Sequence, residues 1–364
     1  MSRYQDWDES DVRVRPNKRG SRPRTKDRPA HERAKIGRVI TVDRGRYTVI
    51  LEEDTAGERV VVAARARELR RQAIVPGDMV ALVGDTSGKP DTLARLVRIE
   101  ERSTLLRRSA DDTDATERVV VANVDQLVIV VAAANPEPRT GFVDRALVAA
   151  YDAGITPILC VTKADVADPA GFLAHYDGLD LPVVISRTTA EADGINSQAA
   201  DGSSARLDPE ALATLRTMLA GKVSVVLGHS GVGKSTLVNA LTGAQRATGH
   251  VNAVTGRGRH TSSNALALRL PDAPGSWLID TPGIRSFGLG LVDPEHVLAA
   301  FEELSQIATR CPRGCDHMAQ TPGCALQAWA YSPGAPASAA ARLESYRRLV
   351  TTGETTHEKE LGAQ

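Results

Sequence analysis

The nine residues GHSGVGKST, positions 228 to 236, constrain this chain more than any other stretch. They fit G-x-x-x-x-G-K-[ST] through Gly228, Gly233, Lys234 and Ser235, directly after the apolar run VSVVLG and directly before KSTLVNALTG. A buried strand, a glycine loop and a helix in that order call for a mostly parallel sheet with helices on both faces. Gly231 and Gly233 let successive N–H groups converge on phosphate oxygens at the positive end of the new helix, and Ser230, Val232 and Thr236 complete the loop. Lys234 would reach the β- and γ-phosphates, and the Ser235 hydroxyl would bind Mg²⁺. A plain glycine turn is the alternative, but it does not require all four fixed positions and both flanks.

Two further signatures belong with a nucleotide. WLIDTPG ends a strand in Asp280 and turns at Gly283, which suits a carboxylate that holds Mg²⁺ through water and a backbone N–H near the γ-phosphate. VTKAD, residues 161 to 165, lies upstream of the phosphate loop. After Thr162, Lys163 can lay its alkyl stem over guanine, while Asp165 accepts hydrogen bonds from N1–H and the exocyclic amine. Adenine offers no such pair of donors and would leave the carboxylate unpaired. Alone, T-K-x-D also reads as a helix N-cap after a strand. Beside the phosphate loop and D-T-P-G, base reading is favoured. The base reader therefore precedes the phosphate loop, the order of a circularly permuted GTPase domain, which is possible because domain termini often lie close together. Segments that answer to the γ-phosphate then adjoin the C-terminal region. Many GTPases orient the attacking water with a Gln just after D-x-x-G; Ile284 stands there, so a low intrinsic rate is expected.

Upstream, AKIGRVITVDRGRYTVILEED, GERVVVAA, GDMVALVG and TLARLVRIEER predict about five short strands, a small all-β barrel over residues 35–100 of which the OB-fold is one kind. The basic loop ARARELRRQ suits oligonucleotides, yet Tyr47 is the one ring offered for stacking, so sequence-specific reading is not expected, and a purely structural barrel is the alternative. Residues 1–34 form a tail. From Arg3 to Lys35 it has eleven Lys or Arg against six Asp or Glu and almost no apolar residues, so it is expected to be disordered, either simply solvated or an arm for nucleic acid. Overall, 45 basic residues balance 45 acidic ones, so no global field recruits a polyanion.

A polar connector, RSADDTDATE, lies in the linker at 101–116 and leads into alternating strands and helices of the domain at 117–290. Within it, the Gly/Ser-rich stretch 191–206 reads as a mobile loop. Residues 291–364 carry CPRGCDHMAQTPGC, in which Cys311, Cys315, His317 and Cys324 suit a structural Zn²⁺ with no position open for chemistry; a redox pair is the alternative. Cys160 reads as a buried strand residue, and ASAAARLESYRRLVTTGE as an Arg-bearing helix packed on the metal segment. No run reaches the ~18 apolar residues of a membrane span and the N-terminus is unlike a signal peptide, so a cytoplasmic protein is expected.

A barrel, then T-K-x-D, G-x-S-G-V-G-K-S-T, G-R-G-R-H-T, D-T-P-G and a Cys/His cluster together resemble the small-ribosomal-subunit biogenesis GTPases, the RsgA/YjeQ family. The resemblance implies an N-terminal OB-fold barrel, a central α/β circularly permuted P-loop GTPase domain and a mostly helical zinc-binding domain. It also implies a GTP hydrolase whose partners are the 30S subunit and 16S rRNA, with GTP or GDP, Mg²⁺ and one Zn²⁺; nothing in the sequence suggests a symmetric interface, so a monomer is expected. Such proteins bind the small subunit late in maturation, hydrolyse GTP when stimulated by it, and leave; a GTP-regulated RNA-binding scaffold without significant turnover is the alternative. His260 is the residue implied to assist hydrolysis, with a solvated loop histidine as the alternative. Thr261, first of Thr261, Ser262 and Ser263, is assigned to Mg²⁺, and Ser186 in ISRTT to the base. Arg257 and Arg259 could contact phosphate or rRNA, or be merely solvated.

Overall fold

The computed structural model describes residues 31–69, 72–109, 117–189, 196–198, 204–244, 265–281 and 293–361. Outside them lie nearly all of the expected tail, and the positions of Arg257, Arg259, His260, Thr261, Ser262, Ser263, Gly283 and Ile284.

Short alternating segments build β1 (Lys35–Asp43), β2 (Arg46–Leu51), β3 (Arg59–Arg65), β4 (Met79–Gly84) and β5 (Ala94–Ile99). β1 pairs with β2, β2 with β3, β3 in parallel with β5, β5 with β4, and β4 returns to β1. The five strands thus close into an OB-like barrel, which leaves no open sheet edge. Val39, Val49, Leu51, Val80 and Leu96 fill it. Tyr47 is in this interior at 4% exposure, so the one ring offered for stacking belongs to the barrel core and cannot meet a base.

β6 (Leu105–Ser109) and β7 (Glu117–Ala122) form an antiparallel ribbon, so the stretch expected to be a linker contains a strand. Leu106, fully buried in the main core, anchors it there.

The central sheet follows, with β8 (Gln126–Ala132), α1 (Thr140–Asp152), β9 (Thr156–Thr162), the one-turn α2 (Ala170–Leu173) and β10 (Val183–Ile185). Next, β11 (Thr188–Thr189), β12 (Asn196–Gln198) and β13 (Ser204–Leu207) make a small antiparallel sheet where a loop was expected. They pair through backbone groups, and Leu207 buries its side chain in the core below. α3 (Pro209–Leu219), capped by the Asp208 carboxylate on Glu210 N–H at 2.9 Å, leads to β14 (Val223–Gly228), α4 (Lys234–Thr242), β15 (Leu266–Arg269) and β16 (Trp277–Asp280).

The strands lie in the order β10-β9-β8-β14-β16-β15, parallel except for β15. β8, β9 and β14 are continuous apolar runs because both faces are covered: α1 and the C-terminal helices on one, α3 and α4 on the other. From β8 the chain moves outward to β9 and β10, then crosses to β14 on the opposite side of β8. At such a reversal a crevice opens beyond the carboxyl ends of the strands.

β15 also meets the barrel, with Leu266 opposite Thr41. At the far end of the β15–β16 hairpin, Arg269 pairs with Asp54 at 2.6 Å and with Glu58, Gly275 N–H donates to Asp54 at 2.7 Å, and the Trp277 indole donates to Glu53.

The chain ends in α5 (Pro294–Ala299), α6 (Glu302–Ala308), α7 (Ala325–Ala330) and α8 (Ala339–Leu361). Leu343, Tyr346, Leu349 and Val350 give α8 an apolar stripe at helical spacing. α8 packs on α1 as well as on the cysteine-bearing segment, and Arg342 reaches Asp180 through two hydrogen bonds of 2.9 and 2.8 Å. No helix among the described residues is long and apolar enough to cross a membrane.

Candidate functional site

The crevice between β8 and β14 gathers most of the expected nucleotide residues. β14 ends in Gly228, where a side chain would come within 2.7 Å of the Val130 carbonyl on β8, so only glycine allows the two strands to stay this close. The loop then passes through Gly231 and Gly233 with φ of +83° and +88°, and α4 begins at Lys234. Ser230 and Gly231 are exposed, Val232 is buried, and Ser235 and Thr236 sit half-buried in the first turn of α4. A glycine-bent loop leading straight into a helix N-terminus fits a polyphosphate.

Asp280 ends β16 directly beside β14, in register with Val226. It is 2% exposed, and its carboxylate pairs with the Lys234 ammonium. The Thr281 hydroxyl donates to the Val226 carbonyl at 2.9 Å and fixes the strand end. A buried carboxylate with a serine hydroxyl nearby in the loop sequence is a donor set that suits Mg²⁺ arriving with nucleotide.

The residues expected to read the base stand on the other side of the crevice. Thr162 closes β9, and its hydroxyl donates to the Val232 carbonyl at 2.6 Å, with the Val131 carbonyl 3.2 Å away. Lys163, with φ of +55°, extends its ammonium to the Gly231 carbonyl at 2.7 Å and to the Asn135 carbonyl. Asp165 is exposed two residues on. Ser186 lies against the same loop: its N–H donates to the Val161 carbonyl at 2.7 Å and its carbonyl accepts from Ala164 N–H at 3.2 Å. Its hydroxyl is buried without a protein partner. Two neighbours are not specified by the motifs, although His229 lies at an open position of the phosphate loop. Asn135, in the β8–α1 loop, touches Lys163, and the His229 ring packs on Phe142 with centroids 4.2 Å apart. The Asn-Pro dipeptide signals a turn, but nothing in its sequence context points to a lysine 28 positions away.

In the C-terminal region, one ligand atom each from Cys311, Cys315, His317 and Cys324 lies within 4.8 Å of the others. His317 Nδ1 is 3.5, 3.4 and 3.9 Å from the Cys311, Cys315 and Cys324 sulfurs. Tetrahedral zinc with usual bond lengths implies S···N separations of roughly 3.5 Å, so the donor set fits. The Cys311 sulfur also accepts from Ala325 N–H at 3.2 Å, as a thiolate would, and Arg347 holds the His317 carbonyl at 2.9 Å. Burial lowers the His317 pKa, the direction that favours the neutral ring a ligand needs. Burial, then the adjacent sulfurs of Cys324 and Cys311, push the Cys315 thiol up to about 11, a cost that a dication among them would reverse. Cys160, fully buried on β9, is likewise pushed up to about 12 by burial and stands apart from this set.

The chain is similar to known proteins along most of its length. A family model described as RsgA GTPase matches residues 99–290. The small ribosomal subunit biogenesis GTPase RsgA of Pseudomonas aeruginosa is 40% identical over 260 residues, covering 70% of this chain and 69% of that protein. The protein of the same name from Pseudomonas fluorescens is 37% identical over 283 residues, covering 76% and 74%. Among solved structures, YloQ, described as a circularly permuted GTPase, aligns with a TM-score of 0.59 at 22% identity, covering 90% of this chain and 97% of that one. YjeQ from Thermotoga maritima aligns with a TM-score of 0.57 at 24% identity, covering 87% and 98%. At such identities these two speak to the fold alone.

Proposed function

The chain belongs to the RsgA GTPase family, and from that premise we propose that it is a GTP hydrolase of small ribosomal subunit biogenesis, stimulated by the subunit and released from it after hydrolysis. The observation that carries the nucleotide reading is the pair of bonds from Thr162 and Lys163 to the Val232 and Gly231 carbonyls, which hold base-reading and phosphate-binding residues across one crevice.

In this reading Asp165 accepts from guanine, the Lys163 stem covers the ring, and the buried Ser186 hydroxyl turns to the base. Gly228, Ser230, Gly231, Val232 and Gly233 line the phosphates with backbone groups. On GTP binding the Lys234 ammonium exchanges the Asp280 carboxylate for β- and γ-phosphate oxygens. Mg²⁺ held by Ser235 and Thr261, with Asp280 behind it, would supply charge neutralisation on those oxygens. Gly283 offers an N–H to the γ-phosphate, and His260 orients the attacking water when the chain is on the subunit; Thr261, His260 and Gly283 lie outside the described residues.

The barrel at 35–100, the nucleotide domain at 117–290 and the module at 291–364 divide the work, with Zn²⁺ on Cys311, Cys315, His317 and Cys324 as a structural staple. Partnership with 16S rRNA in the cytoplasm, as a monomer, completes the proposal. GTP hydrolysis by the full chain, with and without purified small subunits, tests it. A manyfold rise supports a subunit-stimulated enzyme. Unchanged hydrolysis with GTP-dependent subunit binding would replace it by a regulated scaffold.

A further inference from the structure

We propose that Asn135, outside every nucleotide-binding motif, is a positioning residue for guanine nucleotide, acting through Lys163. The inference rests on the reading that Lys163 covers the base, and it adds a third wall to that site.

The topology puts the β8–α1 loop at the crevice, because the sheet order reverses between β8 and β14. The loop stands over the phosphate cradle: a methyl group added to Gly231 would meet Pro136 Cδ at 3.8 Å. From there the Asn135 carbonyl accepts from the Lys163 ammonium, whose second acceptor is the Gly231 carbonyl at 2.7 Å. With its head held at two carbonyls from two loops, the lysine stem is fixed at both ends, as a side chain that covers a base must be.

The backbone on both sides of this contact is in an uncommon region, with φ of +50° at Asn135 and +55° at Lys163. Non-glycine residues rarely adopt such angles, and asparagine is among those that tolerate them best. Two such residues meeting through one charge-assisted bond is the kind of local strain that surrounding structure holds in place at functional sites. Asn135 is exposed, so its identity serves no core. Its requirement is conformational: a residue that aims its carbonyl at Lys163.

The test measures binding of Mg²⁺-GTP and of GDP to the full chain. Asn135→Val, β-branched and averse to positive φ, is expected to weaken both nucleotides equally, by about tenfold. Asn135→Gly, at ease with that angle, should stay within about twofold. The melting temperature should hold in both. If the valine variant is poorly folded, Asn135→Ala reads the same effect in a milder form. In a Lys163→Ala background, Asn135→Val should add nothing, since the partner through which it acts is gone. Parental affinity in Asn135→Val, or an undiminished penalty in the Lys163→Ala background, would overturn this inference while leaving the base reading intact. Lys163→Ala binding GTP as tightly as the parent would overturn both.

Discussion

The Thr162 hydroxyl donates to the Val232 carbonyl at 2.6 Å, joining the end of β9 to the middle of the phosphate loop 70 positions downstream. Both residues are buried, so the bond is shielded from water. Thr162→Val keeps the shape but removes the donor and strands a buried carbonyl, at a cost of about 1–3 kcal/mol. Urea unfolding should show that loss and GTP binding should weaken with it, while Thr162→Ser restores both. A valine variant with parental stability and affinity would mean that the bond does not hold the two halves of the site together.

Asp165→Asn should shift preference from guanosine towards xanthosine nucleotides, because the amide presents a donor where the carboxylate accepted. Losing one hydrogen bond to a charged group, with a donor left facing the exocyclic amine and the other bond made neutral, corresponds to a fall in GTP affinity on the order of 100-fold. Fluorescent-nucleotide titration with GTP and XTP measures both sides of the exchange. An unchanged preference would remove Asp165 from the base.

Chelation or Cys315→Ser should release roughly one zinc per chain and loosen the C-terminal helices, since Arg347 of α8 is bonded to the His317 carbonyl. Protease sensitivity should appear within residues 309–350 before the barrel is touched. Full zinc content in a variant lacking Cys315 would contradict the ligand set.

Arg269 ties the β15–β16 hairpin to Asp54 and Glu58 of the barrel, with side chains about one-third exposed, and it lies 5.0 Å over the Trp277 ring. Exposed ion pairs contribute about 0–1 kcal/mol each and are screened by salt. Arg269→Ala should therefore destabilise modestly, more at low salt than at high salt. A salt-independent loss would place the effect in packing on Trp277 instead.

His296 donates to Asp152 at 3.0 Å, and that hydrogen bond raises its pKa above the ordinary histidine value. The same carboxylate oxygen accepts from Asp293 N–H at 3.1 Å, so it fixes the start of α5. A histidine raised in the folded state stabilises fully below its unfolded pKa, and that contribution fades as pH rises through the folded value. The pH dependence of unfolding should lose this component in His296→Gln; a profile identical to the parent would show that the pair adds nothing.

Motifs with local spacing were legible in the sequence: the phosphate loop, T-K-x-D, D-T-P-G and the Cys/His set each depend on residues a few positions apart, and the structure brings those it describes together. The five barrel strands were legible as well, since alternation marks half-buried strands. Tyr47 was not, because its inward direction is decided by register within a closed barrel. Leu106 and Leu207, which turn an expected linker and an expected loop into strands, act through a core contributed by distant segments. Asn135 and Lys163, or Arg269 and Asp54, are partners made by topology, and single-chain patterning does not contain them.

The most direct measurement is competition for labelled GTP on the folded, Mg²⁺-loaded full chain, with GDP and ATP as competitors. GDP should displace the label stoichiometrically and ATP should fail even in large excess, because an Asp165 that reads the base would reject adenine while the phosphate loop alone cannot tell the two apart. Displacement by ATP as effective as by GDP, or no retention of GTP at all, would contradict a single site shared by Asp165 and Lys234.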